Sequence, residues 1–246
     1  MKRALAILVA ACGGGARSGP PPEPPAPVVS AKPTTRVPVE DSEIPDTGVT
    51  VLNSKGHMEQ AAVEQGIKPH EAELTDCYMT KVGRRHWLGG HVQIHWDIKA
   101  DGVLAAVKLA ESDLGAWPIE KCLIDVARSA TFAKPIGGPA DFVLPLEFSA
   151  KGGAQVWDED KSLRAVGGQL AKLDACGKQP KVVVPDDVVI TVYVGPYGKA
   201  QSVGFSSAAS EIEEKWAECA TKAATAWRLP DPRGQTAKLS IRYRGK

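Results

Sequence analysis

The chain contains one pattern of strands, cysteines and turn glycines twice, and this repeat constrains the fold more than any other feature. Apolar and polar residues alternate from His91 to Ile98, as expected for a half-buried strand, and the pattern returns about 96 residues later. The matched positions are Val92 with Val188, Ile94 with Ile190, Gly102 with Gly198, Val107 with Val203, Leu109 with Phe205, Cys77 with Cys176, Cys122 with Cys219, and Leu144, Leu146 and Phe148 with Leu239, Ile241 and Tyr243.

Each copy predicts the same order of elements. Asp101 and Gly102 form a turn signal between the first strand and a second strand, Pro118 opens a helix, and Phe142 to Phe148 alternate as a third strand. A helical segment, Met58 to Val82, precedes these strands. We therefore predict an α+β fold of two tandem α-β-β-α-β modules. Each is a small three-stranded antiparallel sheet covered by two helices. The alternative is two unrelated α+β segments.

The second module has two further helix signals. A helical stripe includes Leu163, Val166, Leu170, Leu173 and Cys176, as in the first helix of the other copy. Ser210 and Glu213 have the spacing of a capping box, which predicts the start of the last helix.

The first residues are typical of an exported bacterial lipoprotein. A short basic start precedes an apolar run, Ala4 to Ala11, that is too short to span a bilayer. The small residues before Cys12 resemble a lipobox, which implies cleavage before Cys12 and lipid attachment to it. Gly13 favours the outer membrane over the inner one. We predict a signal segment over 1–12 and a protein facing the periplasm. The alternative is an ordinary signal peptide with an accidental cysteine.

A proline-rich segment follows, and we predict a disordered tether over 13–56. It has little to bury, and its prolines favour an extended polyproline conformation with a reach on the order of 100 Å. A ligand for a proline-binding domain is the alternative. The modules are then assigned to 57–150 and 151–246.

The four later cysteines predict disulfides, because export places them in an oxidising compartment. Four cysteines allow three pairings, and the repeat selects Cys77 with Cys122 and Cys176 with Cys219. No Cys-x-x-Cys motif supports a redox or zinc-ribbon site. A metal-bound or free-thiol role is the alternative.

No motif identifies a catalytic site, a cofactor or a metal centre. His91 and His95 share a strand face with Asp97, but the two histidines are about 13 Å apart and cannot bind one ion together. His95 and Asp97 could meet, yet we interpret this face as a solvated sheet surface. The sequence lacks the usual nucleophile motifs. A net charge of +1 argues against nucleic-acid binding. We expect a non-enzymatic protein with no small-molecule substrate.

The first module combines several features in a fixed order: Leu74, Cys77, Tyr78, the strand from His91 to Ile98 with Asp101 and Gly102, Cys122, Phe132, Pro135, Gly137, Gly138 and the strand from Phe142 to Phe148. In these residues it resembles the C-terminal domain of the TonB/TolA type, most closely the variant at the ends of AgmX/PglI-like gliding-motility proteins. The resemblance implies a sheet covered on one face by helices. It also implies binding of partner proteins or extended peptides, in which the third strand can take part. Unlike TonB, the chain has a lipobox instead of a membrane helix, and it has two modules.

The expected function is therefore protein–protein contact in an envelope assembly, and the alternative is a structural lipoprotein contacting peptidoglycan. Pro145 predicts a sheet edge but weakens that edge as a template. In the second module the edge strand Leu239, Ser240, Ile241, Arg242 and Tyr243 has no proline. Its outward residues, Lys238, Ser240, Arg242 and Arg244, are largely basic. Such charges also discourage self-pairing, which is the alternative explanation. We predict that this strand binds an extended acidic segment.

Overall fold

A computed structural model describes residues 50–51, 56–180 and 182–245. The predicted signal segment, Cys12 and most of the predicted tether lie outside the described residues. By its backbone contacts the chain divides at Ile44, and all described residues belong to the unit Pro45–Lys246. Thr50–Val51 is a short strand, β1, inside the segment that we predicted to be disordered. The tether prediction is wrong at these two residues, because they pair with a sheet edge.

The first half of the described chain contains a four-stranded antiparallel sheet in the order β1-β4-β2-β3. The long strands are β2 (Gly90–Ile98), β3 (Leu104–Ser112) and β4 (Ala140–Phe148). The inward residues of β2 predicted from its alternation are all buried, and Trp96 stacks on Phe142 of β4. The prediction of three strands missed β1, since two residues carry no strand period.

Three helices accompany this sheet: α1 (Gln60–Ile67), α2 (Glu71–Val82) and α3 (Trp117–Ser129). The predicted helix over Met58 to Val82 is broken at the 3-10 turn Lys68–His70, which contains Pro69. Helix α3 begins at Trp117, one residue before Pro118, which we predicted to open it. Proline suits this first turn because it lacks an N–H and its backbone angle is already helical. A disulfide joins Cys77 of α2 to Cys122 of α3, with 5.6 Å between their Cα atoms.

The second half contains a sheet in the order β5-β8-β6-β7. Its strands are β5 (Gln155–Val156), β6 (Val188–Val194), β7 (Ala200–Ser206) and β8 (Ala237–Tyr243), and only the β5–β8 pair is parallel. Its helices are α4 (Glu159–Val166), the single turn α5 (Asp174–Gly177) and α6 (Glu214–Thr225). A 3-10 segment, Gly167–Lys172, separates α4 from α5. Cys176 and Cys219 form the second disulfide, with a Cα separation of 5.7 Å.

The starts of helices α4 and α6 can be compared with the capping signals in the sequence. Asp158 caps α4 by accepting a hydrogen bond from the Lys161 N–H at 2.7 Å. The predicted capping box of Ser210 and Glu213 is wrong. Helix α6 has Glu213 as its N-cap without a side-chain cap, and the Glu213 carboxylate accepts from the Val183 N–H instead.

Strand pairing corrects the alignment of the last strands. Ile94 pairs with Leu144 in the first sheet, whereas the corresponding Ile190 pairs with Ile241 in the second. By pairing, Leu144 is therefore equivalent to Ile241, and our match of Leu144 with Leu239 is wrong by two residues. A strand pattern of period two fits either alignment equally well, so the sequence could not separate them.

The two halves meet through their outer strands, β3 and β7. The Ser207 N–H donates to the Leu109 carbonyl at 2.8 Å, and the Ser202 hydroxyl donates to the Gly115 carbonyl at 2.7 Å. Thr191 and Tyr193, on the outer face of the second sheet, are fully buried. The two predicted modules therefore share one continuous hydrophobic core.

Candidate functional site

Strand β8 is not the terminal strand of its sheet, as we predicted, because β5 pairs with its first two residues; from Leu239 to Tyr243 this edge has no described strand partner. The Trp157 N–H donates to the Lys238 carbonyl at 2.9 Å, so the main chain of Lys238 faces β5. Main-chain groups two residues apart face the same way, so those of Ser240 and Arg242 face the same side. β5 ends at Val156, and no described strand pairs with β8 beyond it.

A crevice of about 370 Å³ lies beside this edge, between β8 and the first turns of α4. Apolar side chains are unusually exposed there, with Val156 at 74% and Leu163 at 46%. Ser240 and Arg242 are exposed in the same crevice, whereas Leu239, Ile241 and Tyr243 are buried in the core. The strand thus has an anchored inner face and an accessible edge.

The charges along β8 differ from the prediction at Lys238. This side chain is only 9% exposed, and its ammonium group lies 2.7 Å from the Asp113 carboxylate of the first half. It therefore links the halves and is not part of a free basic row. Arg242 and Arg244 are exposed as predicted, and their Nε atoms lie 3.4 and 4.0 Å from Oδ1 of Asp187.

The buried end of β8 is fixed by Tyr243. Its hydroxyl donates to the Asp174 carboxylate at 2.7 Å, and burial together with this hydrogen bond raises the pKa of Tyr243. The ring also stacks on Trp216 of α6. These contacts hold the strand against the helices while leaving its edge free.

The corresponding edge of the first sheet also has a crevice, of about 290 Å³. It lies between β4 and the first helices, and it is lined by Ile67, Glu71, Leu74, Thr75, Leu144, Leu146, Glu147 and Phe148. Pro145 lies in this part of β4, where it cannot donate a hydrogen bond to an added strand. Of the two edges, that of β8 retains the more complete set of donors.

A second cluster lies on the outer face of the first sheet. His95 Nε2 is 3.3 Å from Asp97 Oδ1 and 3.2 Å from Asp141 Oδ2. The meeting of His95 with Asp97 fits the sequence, but Asp141 was not anticipated. It lies directly opposite Asp97 across the β2–β4 pair. His91 lies on the same face and contacts Glu147 at 2.6 Å, apart from this cluster.

A groove of about 420 Å³ also runs along the contact between the halves. Its lining mixes Lys121 and Arg128 with acidic residues that include Asp125 and Glu214, and several of these already form ion pairs with one another. The lining is acidic overall, but most of its charged groups are already paired with one another and so are poorly available to a ligand.

In comparisons with known proteins, no protein-family model matches this chain, and neither does any curated protein or any solved structure. The two disulfides indicate an exported, non-cytoplasmic protein. Among the described residues, no helix is both long and apolar enough to cross a membrane.

Proposed function

We propose that this is a lipid-anchored cell-envelope protein that binds partner proteins without catalysis, through two TonB/TolA-like modules in tandem. The lipobox-like sequence at Cys12 and the two disulfides support the envelope location. The same order of helices and strands in the two halves supports a duplicated module. The proline-rich segment would let the modules reach away from the membrane surface.

The observation that carries the binding proposal is the open edge of β8 beside exposed apolar side chains. An extended peptide there would gain main-chain hydrogen bonds from Ser240 and Arg242, as in other complexes that add a strand to a sheet. Val156 and Leu163 would contact its apolar residues. Arg242 and Arg244 favour acidic residues, so we assign an acidic, extended segment of an envelope protein as the ligand.

The binding test is a pull-down from envelope extract of the native host, with the full chain as bait. Ser240→Pro removes the edge N–H and should abolish recovery of the partner. Ser240→Ala is the matched control, because it removes only the hydroxyl, which lies 2.9 Å from the Thr191 hydroxyl, and keeps the N–H. Equal recovery with both variants, each verified as folded by circular dichroism, excludes this edge.

Charge provides a second arm of the same experiment. Asp187→Asn removes the carboxylate that faces Arg242 and Arg244, so it should strengthen binding of an acidic peptide. Arg242→Glu should weaken it. If instead all variants sediment with purified peptidoglycan and capture no protein, the structural lipoprotein is the better description.

The anchor is tested at Cys12. Cys12→Ser should move the protein from the membrane fraction to the soluble periplasmic fraction, because three acyl chains hold a protein at a membrane and none remains in the variant. Mass spectrometry of wild-type protein should show a lipid-modified N-terminal cysteine. An unmodified Cys12 in mature protein contradicts the anchor.

A further inference from the structure

We propose that His95, Asp97 and Asp141 form a binding site for one divalent transition-metal ion, best suited to Zn²⁺. The site is independent of the peptide-binding edge, since it lies on the open face of the first sheet. One ligand atom from each residue lies within 4.8 Å of the other two.

Two of the three ligand separations suit one shared ion, and the third, between the two carboxylates, is at most 4.8 Å. Zn²⁺ bonds to imidazole nitrogen and carboxylate oxygen at about 2.0–2.2 Å, so neighbouring ligand atoms lie roughly 3–3.6 Å apart. His95 Nε2 meets this condition with both carboxylates, at 3.3 and 3.2 Å. One imidazole with two carboxylates is also a donor set that suits zinc. Three protein ligands leave a coordination position for water.

The backbone holds these residues in place without a ligand. Asp97 and Asp141 face each other across the paired strands β2 and β4, and His95 precedes Asp97 by one outward position. Two carboxylates directly opposite each other are unfavourable in a sheet, because like charges repel. A cation between them relieves that repulsion. The side chains are 13% (His95), 34% (Asp97) and 21% (Asp141) exposed, so the site is shielded but reachable.

Lys108 provides the competing explanation and a means to test it. Its ammonium group lies 3.3 Å from Asp97 Oδ2, on the oxygen that His95 does not approach. The Lys108 ion pair with Asp97 and the hydrogen bond between His95 and Asp141 stabilise the two carboxylates without any metal. If the cluster binds zinc, removing the lysine charge must strengthen binding, because the ammonium group repels a cation and shares Asp97.

In the second sheet, the positions equivalent to His95 and Asp97 have a structural role. Thr191 and Tyr193 occupy the places of His95 and Asp97, and both are buried against the first half. There the Tyr193 hydroxyl donates to the Gly89 carbonyl at 2.6 Å. The first sheet instead presents three metal-binding groups that remain partly exposed.

The test is a calorimetric titration of Zn²⁺ into the untagged, chelator-treated full chain. We expect one equivalent to bind, with at least a tenfold loss of affinity in His95→Ala and in Asp141→Asn. His91→Ala is the matched control, since His91 contacts a single carboxylate, and it should leave affinity unchanged. Lys108→Gln should increase affinity. Circular dichroism and thermal melting should show that each variant remains folded.

Co²⁺ substitution gives a second readout. Bound Co²⁺ should show visible absorption bands in wild-type protein and in His91→Ala, and these bands should be absent from His95→Ala. The proposal is overturned if wild-type protein binds no zinc, or if His95→Ala binds it as tightly as wild type does. It is also overturned if Asp97→Asn and Asp141→Asn, which preserve side-chain shape, both leave zinc affinity unchanged.

Discussion

The carboxylate of Glu120 accepts a hydrogen bond from the main-chain N–H of Phe205 at 2.8 Å, and these residues belong to different halves of the protein. Glu120 is fully buried, and its other oxygen accepts from the Ser112 hydroxyl at 2.8 Å and from the Gly115 N–H at 3.2 Å. A carboxyl group from α3 thus satisfies main-chain donors of both halves. Removing it would leave buried N–H groups without an acceptor.

This arrangement predicts a pH-dependent stability. Burial raises the pKa of Glu120 from 4.5 to about 7, although the hydrogen bonds that it accepts lower the pKa in part. The unfolded chain therefore loses this proton at a lower pH than the folded protein does. The contribution of Glu120 to stability is greatest below about pH 4.5, falls as the pH rises to about 7, and is constant above that.

Urea unfolding at pH 5 and pH 8 measures this effect. From the shift, wild-type protein should lose on the order of 3 kcal/mol of unfolding free energy at the higher pH through this group. Glu120→Gln should be less stable overall but should lack this component of the pH dependence. Glu218→Gln is the control, since Glu218 is exposed on α6, and it should keep the wild-type slope. An identical slope in Glu120→Gln would contradict the prediction.

Gly204 is predicted to be intolerant of a side chain. A Cβ atom there would lie 2.3 Å from both carboxylate oxygens of Glu120 and 2.5 Å from the Ala116 nitrogen. Gly204→Ala should therefore destabilise the protein by about 1–3 kcal/mol, as overpacked cores do. Gly168→Ala is the control, because nothing lies within 4 Å of its Cβ position, and it should be neutral or slightly stabilising. Equal melting temperatures of the two variants would contradict the prediction that Gly204 has no room for a side chain.

Tyr193 is predicted to strengthen the contact between the halves through its hydroxyl. The hydroxyl donates to the Gly89 carbonyl and accepts from the Gly89 N–H at 3.2 Å. Tyr193→Phe should cost about 1–3 kcal/mol, because the N–H loses its acceptor. Tyr197→Phe, at a residue 83% exposed, should change nothing in the same denaturation assay. Equal stabilities of these variants would show that water replaces the hydroxyl.

Each disulfide is predicted to stabilise its own half. Replacing Cys77 and Cys122 together with alanine should lower unfolding free energy by about 2–5 kcal/mol, since a long loop is no longer closed in the unfolded chain. Non-reducing peptide mapping of that variant should still recover the link between Cys176 and Cys219. A new link between halves in wild-type protein would contradict the pairing.

Features set by local periodicity could be predicted from the sequence. The alternation from His91 to Ile98 located β2 within one residue, and the repeat selected the cysteine pairs that the structure contains. The strand depends on short-range spacing, which its backbone imposes directly, whereas the cysteine pairs followed from comparing the two copies of the repeat.

Features that depend on distant partners could not be predicted. Asp141 belongs to another strand than His95, and only the β2–β4 register brings them together. The alternation of β8 predicted that the Lys238 side chain faces solvent. The packing of the first half against the second buries this side chain beside Asp113. The sequence around Asp141 or Lys238 does not indicate which distant residue it contacts. The sequence around Glu120 likewise does not predict that this side chain is completely buried in the fold.

The disulfides join consecutive cysteines of the described chain, Cys77 with Cys122 and Cys176 with Cys219. In a protein exported from its N-terminus onward, Cys122 is therefore the first partner to reach the oxidising side after Cys77. Cys12 arrives before both, but with lipid on its sulfur, as we propose, it forms no disulfide. An oxidase that joins the other cysteines in the order of their arrival then makes the native bonds directly. Maturation of this chain should then proceed without a disulfide isomerase, even though its halves share one core.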